Sequence, residues 1–174
     1  MNTTFSIIQG KKIRMAIIGC GRISKNHFDS IEKHQNNIEL ISICDIQKEI
    51  LNKYKTKFNV KGYLDLEDML ENENLDLVSL CTPSGLHANQ TKLCAKYGVN
   101  VMTEKPMATR WKDGLSMVKA CDDKNVRLFV VKQNRRNPTL PLLLQTADIS
   151  AKESSGSGTG LLSQSMEAIS NHKA

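Results

Sequence analysis

The 174-residue sequence predicts an α/β domain built on a doubly wound parallel sheet. Three observations predict it. Short aliphatic, β-branched runs alternate with helix-like stretches from Ile13 to about Lys132. The runs are apolar on both faces, as strands covered by helices on each side must be. A glycine-rich turn, Gly19-Cys20-Gly21, joins the first run to the first helix, where an open sheet of this class forms its ligand crevice.

The elements follow in order. Ile13–Ile18 reads as a buried strand, followed by the glycine turn and a helix from about Arg22 to His34. Ile38–Cys44 is a second strand ending at Asp45, and a helix from about Gln47 to Phe58 comes next. A short strand near Lys61–Tyr63 leads to an acidic helical turn at Asp65–Glu71. The strand Leu75–Leu80 ends at Cys81-Thr82-Pro83, and its helix runs from about Leu86 to Tyr97, stopped by Gly98 as a C-cap. Asn100–Thr103 is a strand, Trp111–Lys124 a helix packed through Trp111, and Val126–Lys132 a last strand. From Ala151 the chain loses its apolar period and turns rich in Gly and Ser. Residues 151–174 therefore read as a flexible, disordered C-terminal tail behind a single domain over residues 1–150.

Composition narrows the function classes. Hydrophobic residues make up 40% and aromatics only 5%, so the core must be aliphatic. The net charge of +6 would suit nucleic acid, but the Lys and Arg are scattered among acids and form no basic block. A mildly basic surface suits an anionic small molecule instead. The five cysteines, Cys20, Cys44, Cys81, Cys94 and Cys121, contain no C-x-x-C pair and are odd in number. Neither a metal site nor a disulfide framework fits, and a reducing, cytoplasmic setting is expected. Gln9, Gly10, Lys11 and Lys12 interrupt any signal-like run, and no apolar stretch approaches the ~18 residues of a membrane span.

Gly19-Cys20-Gly21-Arg22-Ile23-Ser24 matches the dinucleotide fingerprint G-x-G-x-x-G/A, with Ser24 at the third small position. Gly19 permits the tight turn, and Gly21 lets backbone N–H groups near Arg22 and Ile23 approach a pyrophosphate. The helix N-terminus adds partial positive charge. Asp45 closes the second strand 26 residues after Gly19, somewhat beyond the usual ~20. A carboxylate there accepts from the adenosine ribose hydroxyls and repels a 2′-phosphate, which favours NAD over NADP. Two other readings stay open at this point: a turn that merely links strand to helix with Asp45 as a helix N-cap, and an S-adenosylmethionine site.

Three polar clusters end later strands: Cys81-Thr82-Pro83-Ser84-Gly85-Leu86-His87, Thr103-Glu104-Lys105-Pro106 and Lys132-Gln133-Asn134-Arg135. In an open α/β sheet such positions converge on one crevice. With Gly19-Cys20-Gly21-Arg22-Ile23, with Thr82-Pro83 and His87, and above all with Glu104-Lys105-Pro106, the sequence resembles the glucose–fructose oxidoreductase/inositol dehydrogenase/rhizopine catabolism (Gfo/Idh/MocA) family from about Lys12 to Pro138. The Cys81–His87 and Val131–Arg135 segments are similar to its nucleotide-sugar branch, the UDP-N-acetylglucosaminuronate 3-dehydrogenases.

The resemblance implies a Rossmann-type NAD domain followed by a second domain, and hydride transfer between NAD and a sugar or nucleotide-sugar carbinol for surface-polysaccharide synthesis. It implies a homo-oligomer for the full-length relatives. It implies Lys105 beside the reacting carbon, Glu104 on the nicotinamide ribose and Pro106 stiffening the turn, with a cis bond as one way to do so. Thr82 and Pro83 then line the cofactor path, with His87 near it, and Gln133 and Arg135 reach cofactor or substrate. Blander readings exist beside these: Lys105 as a surface lysine, His87 as a cap or solvated side chain, Arg135-Arg136 as a solvated basic pair. His27 is expected to be structural. After Pro138 nothing resembles the family's second domain, and His172 has no context that supports a catalytic role. Leu140–Leu144 reads as the start of a next helix. The expectation is a truncated or frameshifted oxidoreductase; the alternative is a non-catalytic dinucleotide-binding module acting as a redox sensor or partner subunit.

Overall fold

The computed structural model of the chain describes residues 10–132. Six strands, β1 (Ile13–Ile18), β2 (Ile38–Cys44), β3 (Lys61–Tyr63), β4 (Leu77–Leu80), β5 (Asn100–Thr103) and β6 (Leu128–Val130), alternate with five helices. The helices are α1 (Ser24–Lys33), α2 (Lys48–Phe58), α3 (Leu66–Asn72), α4 (His87–Lys96) and α5 (Trp111–Asp123). All strand pairs are parallel and the order is β3-β2-β1-β4-β5-β6, the doubly wound arrangement expected from the sequence. The order reverses between β1 and β4, so the crevice opens where Gly19 and Cys81 leave the sheet.

The two-sided apolar pattern of β1 divides the core into two layers. Ala16 and Ile18 join Val78, Leu80, Val101, Met69 and Cys94 on the face covered by α3 and α4. Met15 and Ile17 join Ile43, Phe28, Ile31 and Leu51 on the face covered by α1 and α2. Alternate side chains of one strand thus feed opposite layers. Phe28 of α1 stacks on Tyr54 and Phe58 of α2, with ring centroids 4.9 and 4.4 Å apart, which clamps the two helices over the amino-terminal half of the sheet.

Several helix ends shift by one residue, β6 ends at Val130 rather than Lys132, and three elements start two residues later than the sequence expectation, each for a local reason. α1 begins at Ser24 rather than Arg22, because the Ser24 amide and hydroxyl both turn back to the Gly21 carbonyl. β4 begins at Leu77 rather than Leu75, because the Asp76 carboxylate is drawn to the Lys11 ammonium and the Arg14 amide. β6 begins at Leu128 rather than Val126, whose amide instead closes the end of α5 on the Cys121 carbonyl. Gly98 follows α4 at φ +74°, as a helix-ending glycine should.

Trp111 does not pack α5. It is 82% exposed, because the inward stripe of that helix is Gly114, Met117 and Cys121, and the first residue of the helix lies to one side of it. All five cysteines are buried and free, and burial above all pushes the thiols of Cys20, Cys44, Cys81 and Cys94 up to about 12. They behave as small hydrophobes. Among the described residues no helix is long and apolar enough to cross a membrane. Gln133, Arg135, Arg136, Leu140–Leu144, His172 and the tail from Ala151 lie outside the described residues.

Candidate functional site

The glycine turn is built by two different requirements. Gly19 has φ +85°, and a Cβ there would lie 3.0 Å from the backbone carbon and oxygen of Cys81 and from Cγ2 of Thr82. The left-handed backbone and the close passage of β4 both demand glycine. Gly21 is the opposite case: a Cβ there meets nothing within 4 Å. Packing does not explain this glycine, and the open ground in front of it is the approach that a bulky anion needs. Ser24, fully buried, satisfies its hydroxyl inwardly on the Gly21 carbonyl at 2.6 Å. No side chain caps α1, so its amino end keeps amides directed at the turn.

Asp45 braces this turn from the next strand. One carboxylate oxygen accepts from the Cys20 amide at 2.7 Å and the other from the Gln47 amide at 2.8 Å. The N-cap of α2 is Gln47, so Asp45 is not its cap; it ties the end of β2 to the turn after β1. A cleft of about 660 Å³ opens over these residues, lined by Gly19, Gly21, Arg22, Ile23, Asp45, Thr82 and Pro83. That volume falls within the range of small-molecule and cofactor sites. Ile46, Leu64 and Leu86 stand on its rim with 85, 50 and 47% of their surface exposed, an apolar border beside a charged floor. Sequence reasoning missed this border. Leu64 directly follows β3, and the strand-end rule applied to the other strands would have found it.

The β4 and β5 ends form a second cluster. Thr82 donates its hydroxyl to Oε1 of Gln90 at 2.5 Å, which turns its methyl toward Gly19. His87 is neither a cap nor solvated: it is 1% exposed, with Nε2 2.9 Å from the Thr82 carbonyl and Nδ1 3.2 Å from the Pro106 carbonyl. It links the two loops from behind and is not among the cleft-lining residues. Glu104 is 6% exposed at the end of β5, and one of its oxygens accepts from the Lys105 amide at 3.2 Å. Lys105 is exposed, and the Lys105–Pro106 bond is cis. His27 of α1 bonds Glu104 through Nε2 at 2.8 Å, a partnership across 77 residues that no local pattern announces. Among the described residues no group of His, Cys, Asp and Glu could hold a metal ion.

The donor set fits a dinucleotide: open backbone at Gly21, a helix amino end, a carboxylate at the end of β2 and an apolar rim. Comparison with known proteins gives the same picture. Residues 13–132 match the family described as Oxidoreductase family, NAD-binding Rossmann fold (Gfo/Idh/MocA). The WlbA dehydrogenase from Chromobacterium violaceum, solved with NADH and UDP-GlcNAcA, is 54% identical with a TM-score of 0.76, over 78% of this chain and 39% of that one. The WlbA dehydrogenase from Bordetella pertussis, solved with the same ligands, is 50% identical with a TM-score of 0.77, over 79% and 42%. D-apiose dehydrogenase of Paraburkholderia graminis is 32% identical over 75% of this chain and 35% of its own length. The chain thus spans roughly two-fifths of the solved relatives' length and about a third of that curated one. The cleft at the β1–β4 switch and the match over residues 13–132 make this chain a member of the Gfo/Idh/MocA oxidoreductase family, carrying its NAD-binding Rossmann domain.

Proposed function

We propose that this chain is the cofactor-binding part of an NAD-dependent dehydrogenase acting on UDP-N-acetylglucosaminuronate or a closely related nucleotide sugar. The observation that carries the reading is the joint presence of an open Gly21 approach, the Asp45 carboxylate and Glu104-Lys105-Pro106 at the carboxyl ends of one sheet. Identity of 54 and 50% to two dehydrogenases solved with NADH and UDP-GlcNAcA supports the substrate class. The dinucleotide-binding domain is assigned to residues 1–150 and a separate tail to 151–174.

When bound, NAD would supply the hydride acceptor, or as NADH the hydride donor, for the sugar carbinol carbon. The chain's own residues do the rest. Gly19, Gly21, Arg22 and Ile23 present backbone N–H groups and the α1 amino end to the diphosphate. Asp45 accepts from the adenosine ribose hydroxyls and disfavours a 2′-phosphate. Thr82 and Pro83 flank the path toward the reacting end, with His87 holding their loop. Gln133 extends the cofactor contacts, and Glu104 accepts from the nicotinamide ribose. Lys105 places its ammonium on the substrate hydroxyl, where it stabilises developing oxygen charge or passes a proton. A non-catalytic sensor would have no use for that ammonium. Surface-polysaccharide synthesis in the cytoplasm, within a homo-oligomeric full-length enzyme, is the setting this substrate class suggests.

Fluorescence titration of the 174-residue chain tests the cofactor half of the proposal: NADH should bind more tightly than NADPH. Equal or tighter NADPH binding would sink it. For the substrate half, residues 13–132 should replace the matching segment of the Chromobacterium violaceum enzyme. The chimera is expected to reduce NAD in the presence of UDP-GlcNAcA, and a well-folded chimera that binds NADH but ignores this sugar would count against the assignment.

A further inference from the structure

His27 lines no part of the cleft, yet both its ring nitrogens are engaged at the buried side of the strand-end cluster. Nε2 lies 2.8 Å from Oε1 of Glu104, and Nδ1 lies 2.9 Å from the Ser79 hydroxyl. The His27 and Glu104 side chains are 9 and 8% exposed, and Ser79 is fully buried. A carboxylate so far from water needs a hydrogen-bond donor, and Nε2–H supplies one. In the tautomer that donates through Nε2, Nδ1 accepts, and the Ser79 hydroxyl stands where it can donate to it. Ser79 therefore selects the tautomer that His27 presents to Glu104. The second Glu104 oxygen accepts from the Lys105 amide at 3.2 Å, so the carboxylate is oriented at both ends.

His27 also stands one helical turn beyond Ser24, the residue whose hydroxyl closes the glycine turn. One element, α1, thereby reaches both the glycine turn, through Ser24, and the Glu104–Lys105 corner, through His27. From this geometry we infer that His27 is a positioning residue: it holds the Glu104 carboxylate in the orientation that receives the nicotinamide-side ribose, with Ser79 setting its tautomer. The inference rests on the cofactor reading above and deepens it.

The test uses the 174-residue chain with two probes, NADH and ADP, because ADP lacks the part of the cofactor that would meet Glu104. His27→Ala should weaken NADH binding by about tenfold, the effect of losing one charge-assisted hydrogen bond, and leave ADP affinity unchanged. His27→Gln, whose side-chain amide can still donate to Glu104, should recover most of the NADH affinity. Equal losses for both nucleotides, undiminished NADH affinity in His27→Ala, or no recovery in His27→Gln would each overturn the inference. If the unmodified chain binds neither NADH nor ADP, the cofactor reading fails and takes this one with it. Should His27→Ala not fold, nitrogen-15 NMR of the unmodified chain near neutral pH decides the matter. A proton on Nε2 with an accepting Nδ1 is expected, and a proton on Nδ1 overturns the assignment.

Discussion

The glycine turn and the Glu104-Lys105-Pro106 corner both stand at the carboxyl ends of one parallel sheet, but only the turn lines the cleft, and the two are held in different ways. The turn works through backbone: Gly19 in a left-handed conformation, Gly21 with nothing before it, and one carboxylate, Asp45, bracing two amides. The corner works through side chains brought from distant parts of the chain. Glu104 leans on His27 from α1, and His87 joins the Thr82 and Pro106 carbonyls. A site made of backbone is specified by the residues that permit its dihedral angles. A site made of buried side chains exists only once the strands and helices that deliver them have docked.

The largest expected effect bears on the corner. In the chimera described above, Lys105→Ala should lower turnover by ~10²–10⁴-fold, the usual contribution of a positioned acid or base, while NADH affinity stays nearly unchanged. Steady-state kinetics with a parallel NADH titration checks both halves. A matching loss of NADH affinity would mean that the corner acts through cofactor binding, as the turn does.

The two glycines sharpen the contrast within the turn. Gly19→Ala forces a side chain into a left-handed backbone and to 3.0 Å from Cys81, and should cost about 2–4 kcal/mol of stability, seen as a lowered urea midpoint. Gly21→Ala has open space to enter, so its urea midpoint should hold while NADH binding weakens. If Gly21→Ala unfolds the chain and spares the cofactor, the two roles have been exchanged.

Asp45→Ala should weaken NADH by ~10–100-fold through loss of charge-assisted bonds worth ~1.5–3 kcal/mol, and narrow the preference over NADPH. Because Asp45 also braces Cys20 and Gln47, a modest loss of thermal stability should accompany it.

The smallest effect lies away from the crevice and provides its control. Burial pushes the Asp76 carboxyl up, but hydrogen bonds from the Lys11 ammonium and the Arg14 amide outweigh it and hold the group below its ordinary value. A depressed folded-state value means that Asp76 contributes fully above the unfolded carboxyl value of ~3.9, and the contribution is lost as pH falls through the folded one. Asp76→Asn should cost about 1 kcal/mol near neutral pH, with the difference shrinking on acidification, as urea titrations at several pH values would register. NADH binding should be untouched.

Much of this molecule was legible in one dimension. The strands Ile13–Ile18, Ile38–Cys44, Lys61–Tyr63 and Asn100–Thr103 have the bounds their sequence predicts, because an aliphatic run between polar breaks has only one way to sit in a covered sheet. Gly19, Gly21 and Asp45 were readable for a related reason: their spacing around one strand–turn–helix–strand unit is a local property. Trp111 was misread because an aromatic residue in a helical run carries no sign of which face it occupies. The stripe of Gly114, Met117 and Cys121 claims the inward side.

By itself the sequence determined the sheet, the order of its elements and the residues that end every strand but β6, since periodicity and turn chemistry act between near neighbours. Only the tertiary structure decided that His87 lies buried between two carbonyls rather than in solvent, and that His27 reaches Glu104 across 77 residues. A hydrogen bond needs its partners within about 3 Å, and that proximity is created by packing α1 and α4 onto the sheet. No stretch of the chain encodes such a pair locally, because neither residue's neighbours in sequence carry information about where the other will stand.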